Sequence, residues 1–246
     1  MKKTIQDKIG ILLHHFTNNK FKAKFNGGRA IILMSGPSNE NDTYSTCDLA
    51  VTSNLTNPHD FTKRITSKEY IHCFSDPDII TNEEKEKIFL DILRFARERD
   101  NYTLLVPVTY LKFKVIRANF FSESINFYNT NNSFKNKTGL TINKTSFPNM
   151  NTILLDCALP FSSYIGINEV FVSGFDAHYG VGKKSYSSSN YEYNDKEKPV
   201  DNWKDIVKVN AVIMSKILKE INGTKINYSE KSGFGKYLNE KFDNNW

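Results

Sequence analysis

The sequence has little that points to export, membrane insertion or metal binding. Its three cysteines, Cys47, Cys73 and Cys157, lie far apart among 246 residues and form no Cys-x-x-Cys pair. Such a set favours a reducing compartment over a disulfide framework or a zinc site. No apolar run approaches the ~20 residues of a membrane span, and no signal-peptide pattern follows the short apolar run at residues 9–13. We therefore expect a cytoplasmic protein that uses no metal ion and no other cofactor.

A block of Lys and Arg with interleaved aromatic residues is also lacking, so we expect no nucleic-acid partner. The chain has 33 Lys and Arg against 27 Asp and Glu, a net charge of +6. This mild excess favours an anionic ligand such as a nucleotide, or an anionic membrane surface. A basic surface kept for solubility explains it equally well. The length and the 39% hydrophobic content suit one globular α/β domain.

The first 28 residues are interpreted as an N-terminal extension. Residues 4–16 have apolar side chains at helical spacing, namely Ile5, Ile9, Leu12, Leu13 and Phe16. This spacing predicts a short amphipathic helix whose apolar face packs on the domain or on a partner. Contact with a membrane surface is the alternative.

Residues 29–246 alternate between apolar runs and helical patterns, which predicts a single domain. The predicted strands are residues 30–34, 48–52, 70–74, 104–108, 169–173 and 225–228. A capping box at Thr81 and Glu84 predicts the start of one helix, and two more are predicted at 151–164 and 203–221. We therefore expect an α/β, Rossmann-like parallel sheet with helices on both faces. Two stretches without periodicity are interpreted as an insertion at 126–149 and a flexible lid loop at 178–201.

Polar clusters follow several predicted strands, and the carboxyl ends of parallel strands are where such sheets bind ligands. In the first cluster, Gly36 and Pro37 form a tight turn and Ser38 is available for a phosphate, although an ordinary β-turn has the same composition. Asn54 and Asp76 end two other strands and are equally typical of turns. We expect one substrate pocket from Gly36, Pro37, Ser38, Asn39, Asn54, Asp76 and the helix start at Asn151 and Thr152.

The richest cluster follows the strand at 169–173. It contains a carboxylate, an imidazole, two phenols and two lysines: Asp176, His178, Tyr179, Tyr186, Lys183 and Lys184. Phenols and amines donate hydrogen bonds to phosphate oxygens, and imidazole transfers protons at neutral pH. We interpret His178 as the candidate general base, with Asp176 orienting the imidazole or the loop, and Tyr179 and Tyr186 as phosphate ligands. A phosphate contact from His178 is the alternative role.

The four other histidines, His14, His15, His59 and His72, have no chemical neighbours in the sequence, so we expect no role in chemistry from them.

Three segments resemble a known family. Residues 31–38 are similar to the first strand and Gly-Pro-Ser turn of bacterial sialyltransferases that use CMP-activated sialic acid, and equally of related motility-accessory and lipopolysaccharide-biosynthesis proteins. Cys47-Asp48-Leu49 precedes Asn54 as in the strand whose final Asn contacts the nucleotide in that family. Residues 164–176, ending in Gly174-Phe175-Asp176, are the most similar segment.

The resemblance implies metal-independent glycosyl transfer from a nucleotide-sugar donor, CMP-linked, to a glycan acceptor in cell-surface polysaccharide or lipopolysaccharide biosynthesis. Two departures leave the donor and the catalytic step open. The family's Asn-Pro is Asp76-Pro77 here, and no histidine follows His178. The alternatives are a pterin diphosphokinase-like enzyme of the same superfamily and a non-catalytic nucleotide- or glycan-binding protein. Peripheral contact with the inner membrane and a homo-oligomer both stay open.

Overall fold

A computed structural model describes residues 5–25, 27–131, 146–148, 150, 152–176 and 203–243. The nine strands within these residues are β1 (Arg29–Leu33), β2 (Cys47–Ser53), β3 (Ser67–Cys73), β4 (Tyr102–Pro107), β5 (Ile125–Tyr128), β6 (Thr130–Asn131), β7 (Phe147–Pro148), β8 (Glu169–Ser173) and β9 (Lys225–Tyr228). Seven of them form one parallel sheet in the order β5-β4-β3-β2-β1-β8-β9, and β6 pairs with β7. The predicted parallel α/β, Rossmann-like sheet is confirmed.

Helices cover both faces of this sheet. They are α1 (Ile5–Lys22), α2 (Pro58–Arg64), α3 (Asp78–Thr81), α4 (Glu83–Arg97), α5 (Lys114–Ala118), α6 (Leu159–Tyr164), α7 (Trp203–Asn222) and α8 (Gly233–Asp243). One apolar core lies between the sheet and α6, α7 and α8, and a second lies between the opposite face and α2 to α5. No helix in the described part of the chain is long and apolar enough to cross a membrane.

The strand order creates a switch point between β1 and β8. From β1 the chain adds β2 to β5 on one side of the sheet, and β8 and β9 are added on the other. Leu33, at the end of β1, pairs with Thr52 of β2 and with Ser173 of β8. The turn that follows β1 therefore lies where open α/β sheets form a ligand crevice.

Helix α1 packs on the sheet through the opposite face from the one that its apolar pattern predicts. Its buried residues are Gly10, His14, Thr17, Asn18 and Phe21. Of the predicted apolar face, Ile9, Leu12 and Phe16 are 43%, 66% and 68% exposed, and Leu13 is partly buried against the core. The polar side chains are buried because α1 lies along β5, the edge strand, where Thr17 Oγ1 accepts the backbone N–H of Phe127 at 3.1 Å.

Two predicted boundaries are wrong for local reasons. Thr81 ends α3, and the N-cap of α4 is Asn82, whose side chain accepts the N–H groups of Glu84 and Lys85. The supposed insertion at 126–149 begins inside β5, which contains only four residues. The helix predicted at 151–164 contains a π-helical turn at Leu154–Ala158 before α6.

Candidate functional site

The turn after β1 is held against the turn after β8 by backbone hydrogen bonds. Met34 N–H donates to the carbonyl of Ser173 at 2.8 Å, and Gly36 N–H donates to the carbonyl of Gly174 at 2.9 Å. These contacts continue the sheet ladder past the last residues of both strands. They bring the predicted site residues Gly36, Ser38 and Asp176 together.

Both glycines are required by this close approach. A Cβ on Gly36 would overlap the Gly174 carbonyl and would lie 2.5 Å from Asp176 Oδ2. Gly174 has a φ of +72°, and a Cβ there would overlap the Met34 carbonyl. The groups that approach Gly36 closely therefore belong to the protein itself, namely the Gly174 carbonyl and the Asp176 carboxylate.

The N–H groups of the Gly36–Ser38 turn are donated within the protein. Gly36 N–H is bound to Gly174, Ser38 N–H donates to Asp176 Oδ2 at 2.8 Å, and Asn39 N–H donates to the Gly36 carbonyl at 3.3 Å. Half-buried Pro37 has no N–H to offer. At these positions the turn therefore offers a ligand the Ser38 hydroxyl instead of a backbone cradle.

Two polar atoms at the switch point have no partner among the described residues. Asp176 is 4% exposed and Ser38 is 9% exposed. Asp176 Oδ1 and Ser38 Oγ are both buried without a hydrogen bond, although Asp176 Oδ2 is bound to the Ser38 N–H. A buried unsatisfied polar atom costs about 1–3 kcal/mol, so this pair is a site that a hydrogen-bonding ligand would satisfy.

Asn39, a predicted substrate contact, supports the turn from beneath. It is fully buried, donates to the Met34 carbonyl at 2.6 Å and accepts from Arg64 Nη1 at 2.8 Å. The Tyr44 hydroxyl donates to the Asn39 carbonyl at 3.0 Å and also contacts Ser173 Oγ at 2.9 Å. Burial raises the pKa of Tyr44 to about 12, so this phenol stays a donor at neutral pH. No pattern in the sequence indicates a role for Tyr44 or Arg64, because their partners Ser173 and Asn39 are distant in the chain.

Asn54 lies between the ends of β2 and β3. It has a φ of +48°, and its carbonyl accepts the Nε2 proton of His72 at 2.7 Å. The other ring nitrogen of His72 contacts the Tyr102 hydroxyl at 2.8 Å. Burial lowers the pKa of His72 to about 4, so the ring is neutral at physiological pH. His72 therefore fixes the backbone that presents the half-buried Asn54 side chain.

Asp76 and Tyr110 lie at the ends of β3 and β4. Asp76 is exposed, and its Oδ1 accepts the Asp78 N–H at 3.0 Å. The Tyr110 hydroxyl is buried and has no partner among the described residues. Burial raises the pKa of Tyr110, and the negative charge of Asp76 adds to the effect. The sequence interpretation missed Tyr110, which follows its strand without any polar cluster.

Thr152 caps the helix that leads into α6. Its Oγ1 accepts the Leu155 N–H at 3.2 Å, and its carbonyl accepts the Asp156 N–H. The π-helical turn buries Asp156, whose carboxylate accepts the Met150 N–H. Asn151, His178, Tyr179 and Tyr186 lie outside the described residues, as do Lys183, Lys184 and the predicted lid at 178–201.

A groove of about 590 Å³ opens on the β9 side of the switch point, and Asp42, Tyr228, Ser229, Lys231 and Asn239 are among its lining residues. The Asp42 carboxylate accepts the hydroxyl of Ser173 and, at 2.9 Å, that of Ser229. Ser173 thereby connects this groove with the Tyr44 network under the turn. Within the described ranges, no three His, Cys, Asp or Glu side chains are grouped so that they could hold a metal ion.

The sequence matches no protein-family model and no curated protein. What the site binds must therefore be inferred from its own chemistry.

Proposed function

We propose that the protein is a glycosyltransferase that binds a nucleotide-sugar at the carboxyl edge of the sheet. The observation that carries this proposal is the buried, unpartnered pair of Asp176 Oδ1 and Ser38 Oγ at the switch point. A carboxylate oxygen accepts hydrogen bonds only, so its ligand must bring a donor. Sugar and ribose hydroxyls and nucleobase amino groups are such donors.

The spread of polar groups along the edge favours a long ligand. The pair at β1 and β8 is separated from Asp76 at β3 and Tyr110 at β4 by two to four strand spacings, or roughly 10–19 Å. Asn54 lies between them, at the end of β2. This separation matches the length of an extended nucleotide-sugar and exceeds that of a single sugar ring. The groove beside Asp42, on the far side of Asp176, offers a place for the acceptor.

In the proposed reaction the acceptor hydroxyl attacks the anomeric carbon as its bond to the donor phosphate breaks. His178 takes the hydroxyl proton, and Tyr179 and Tyr186 donate hydrogen bonds to the departing phosphate, so no metal ion is needed. Asp176 was predicted to orient either the loop or the imidazole. The hydrogen bond from the Ser38 N–H fixes Asp176 where the loop after β8 begins, and this supports the role of orienting that loop.

The donor is proposed to be CMP-linked, and the product to be a cell-surface polysaccharide or lipopolysaccharide made at the cytoplasmic side. This part rests on the resemblance of residues 31–38 and 164–176 to the sialyltransferase-like family. A non-catalytic binding protein is the second candidate, because the N–H groups of Gly36, Ser38 and Asn39 are already used and give a phosphate no backbone cradle.

Thermal unfolding with CMP, UDP, GDP and ATP tests the proposal. A ligand that binds only the native state stabilises it by about 2.7 kcal/mol at 100 times its Kd. For a chain of this length that corresponds to a rise of roughly 5–10 °C in Tm. We expect CMP to give the largest rise and EDTA to leave transfer activity intact.

A rise in Tm with ATP alone would indicate a pterin diphosphokinase-like enzyme instead of a transferase. A response to glycan fragments but to no nucleotide would indicate the binding protein.

A further inference from the structure

Helix α1 presents an apolar stripe to solvent. Ile9, Leu12 and Phe16 are spaced by three and four residues, so they lie on one side of the helix. They are 43%, 66% and 68% exposed. The opposite side packs on β5 through His14 and Thr17, so the fold does not need the stripe.

The surroundings of the stripe are basic. Exposed Lys8 and Lys20 flank it, and Lys22 follows in the last turn. No acidic residue occurs between Lys8 and Lys24 in the sequence. Anionic lipid headgroups attract such a surface electrostatically.

A second exposed aromatic residue precedes the strand on which α1 packs. Phe121 is 94% exposed and lies four residues before the start of β5. The segment that leads to Phe121 carries exposed Lys112, Lys114 and Arg117. The apolar side chains therefore occur within a predominantly basic region.

We propose that α1 docks on an anionic membrane surface, with Ile9, Leu12 and Phe16 in the acyl boundary and the lysines at the headgroups. The positive charge of α1 favours an anionic membrane over a second copy of the chain as the partner. Pairing two α1 helices would place their lysines next to each other. A short stripe of three side chains suits reversible binding.

The docked helix would bring the candidate site close to the membrane. A Cβ added to Gly10 would lie 3.1 Å from Val108 and 3.7 Å from Asn129, which follow β4 and β5, so the first half of α1 reaches the carboxyl edge of the sheet. If the proposed function holds, this placement gives the enzyme access to a lipid-linked acceptor. The docking itself does not depend on that function.

Vesicle co-sedimentation tests the docking. The full chain is mixed with vesicles of phosphatidylcholine alone or with 30% phosphatidylglycerol. We expect it to pellet only with the anionic vesicles and less at high salt. Leu12→Ser with Phe16→Ser should reduce the partition coefficient on the order of tenfold or more, because two apolar side chains no longer enter the lipid. Both positions are exposed, so we expect circular dichroism and Tm to stay close to wild type.

The matched control is Ile206→Ser with Val209→Ser, which removes two exposed apolar side chains from α7. This variant should pellet like wild type. Wild-type protein that stays in the supernatant, or equal pelleting of the Leu12/Phe16 variant, would overturn the proposal. So would a wild-type dimer in light scattering that the Leu12/Phe16 variant converts to a monomer. None of these results depends on nucleotide binding.

Discussion

His14 Nδ1 accepts the backbone N–H of Asn129 at 3.1 Å, and this bond shows how α1 closes the sheet. Since Nδ1 is the acceptor, a neutral ring carries its proton on Nε2, which lies 3.0 Å from the Asn18 side-chain amide. That amide can accept the proton only through its oxygen, which has no other partner among the described residues. Thr17 accepts the Phe127 N–H in the same way. At the opposite edge, Asn239 exchanges two hydrogen bonds with the backbone of Tyr228. Side chains thus satisfy backbone groups at both edge strands, where another chain would otherwise pair.

Thr17→Val removes an acceptor from the β5 edge while keeping the shape of the side chain. The Phe127 N–H is buried and would lose its partner, so we expect the free energy of unfolding to fall by about 1–3 kcal/mol. Urea unfolding measures the change. Asn19→Ala, at an exposed position of the same helix, is the control and should change it by less than about 0.5 kcal/mol. Equal stability of Thr17→Val and wild type would show that Thr17 does not stabilise the β5 edge through this hydrogen bond.

The orientation of α1 could not be predicted from its pattern. An amphipathic pattern predicts an apolar face toward the core, and this holds where a helix packs on the face of a sheet. Helix α1 lies along an edge, where N–H groups need acceptors, so His14 and Thr17 are buried and Leu12 is exposed. No local feature of the sequence shows that β5 needs these acceptors.

The buried His72 should make stability depend on pH. Its pKa is about 4 in the folded protein and about 6.5 in the unfolded chain, which therefore binds more protons between these values. The stability that the neutral His72 ring contributes to the folded protein is fully present above pH 6.5 and is lost as the pH falls toward 4. We expect wild-type protein to lose about 2 kcal/mol more than His72→Gln between pH 7 and pH 5, measured by urea unfolding. His59→Gln, at an exposed position, should keep the wild-type dependence. The same pH dependence in His72→Gln and wild type would show that His72 is not held neutral.

Two buried tyrosines should differ in how loss of the hydroxyl changes the free energy of unfolding. Tyr128 donates to the Phe74 carbonyl at 2.7 Å, so Tyr128→Phe should lower the free energy of unfolding by about 1–2 kcal/mol. The Tyr110 hydroxyl has no partner among the described residues, so Tyr110→Phe should keep or raise stability and should weaken ligand binding. Unfolding of the ligand-free proteins compares the two. A loss in Tyr110→Phe as large as in Tyr128→Phe would indicate a structural hydroxyl.

The sequence predicts the strands better than it predicts the site. Strands β8 and β9 are predicted to the residue, because turn residues bound both apolar runs. Strand β5 was missed, since its four residues precede a polar stretch. Strand-end polarity singled out both Ser38 and Asp176 as candidate site residues, and the structure places them side by side. It could not show that Asp176 binds the N–H of Ser38, because 138 residues separate them and only the strand order brings them together.

The proposed ligand site is tested most directly by calorimetric titration of CMP into wild type and Asp176→Asn. The amide oxygen of Asn can still accept the Ser38 N–H, while its NH₂ group replaces the free acceptor, Oδ1. A hydrogen bond to a charged group contributes about 1.5–3 kcal/mol, so the Kd for CMP should rise about 10- to 100-fold. Asp91→Asn, which changes an exposed carboxylate on α4, should bind like wild type. No heat with wild-type protein, or the same Kd for Asp176→Asn and wild type, would contradict a nucleotide site at the junction of β1 and β8.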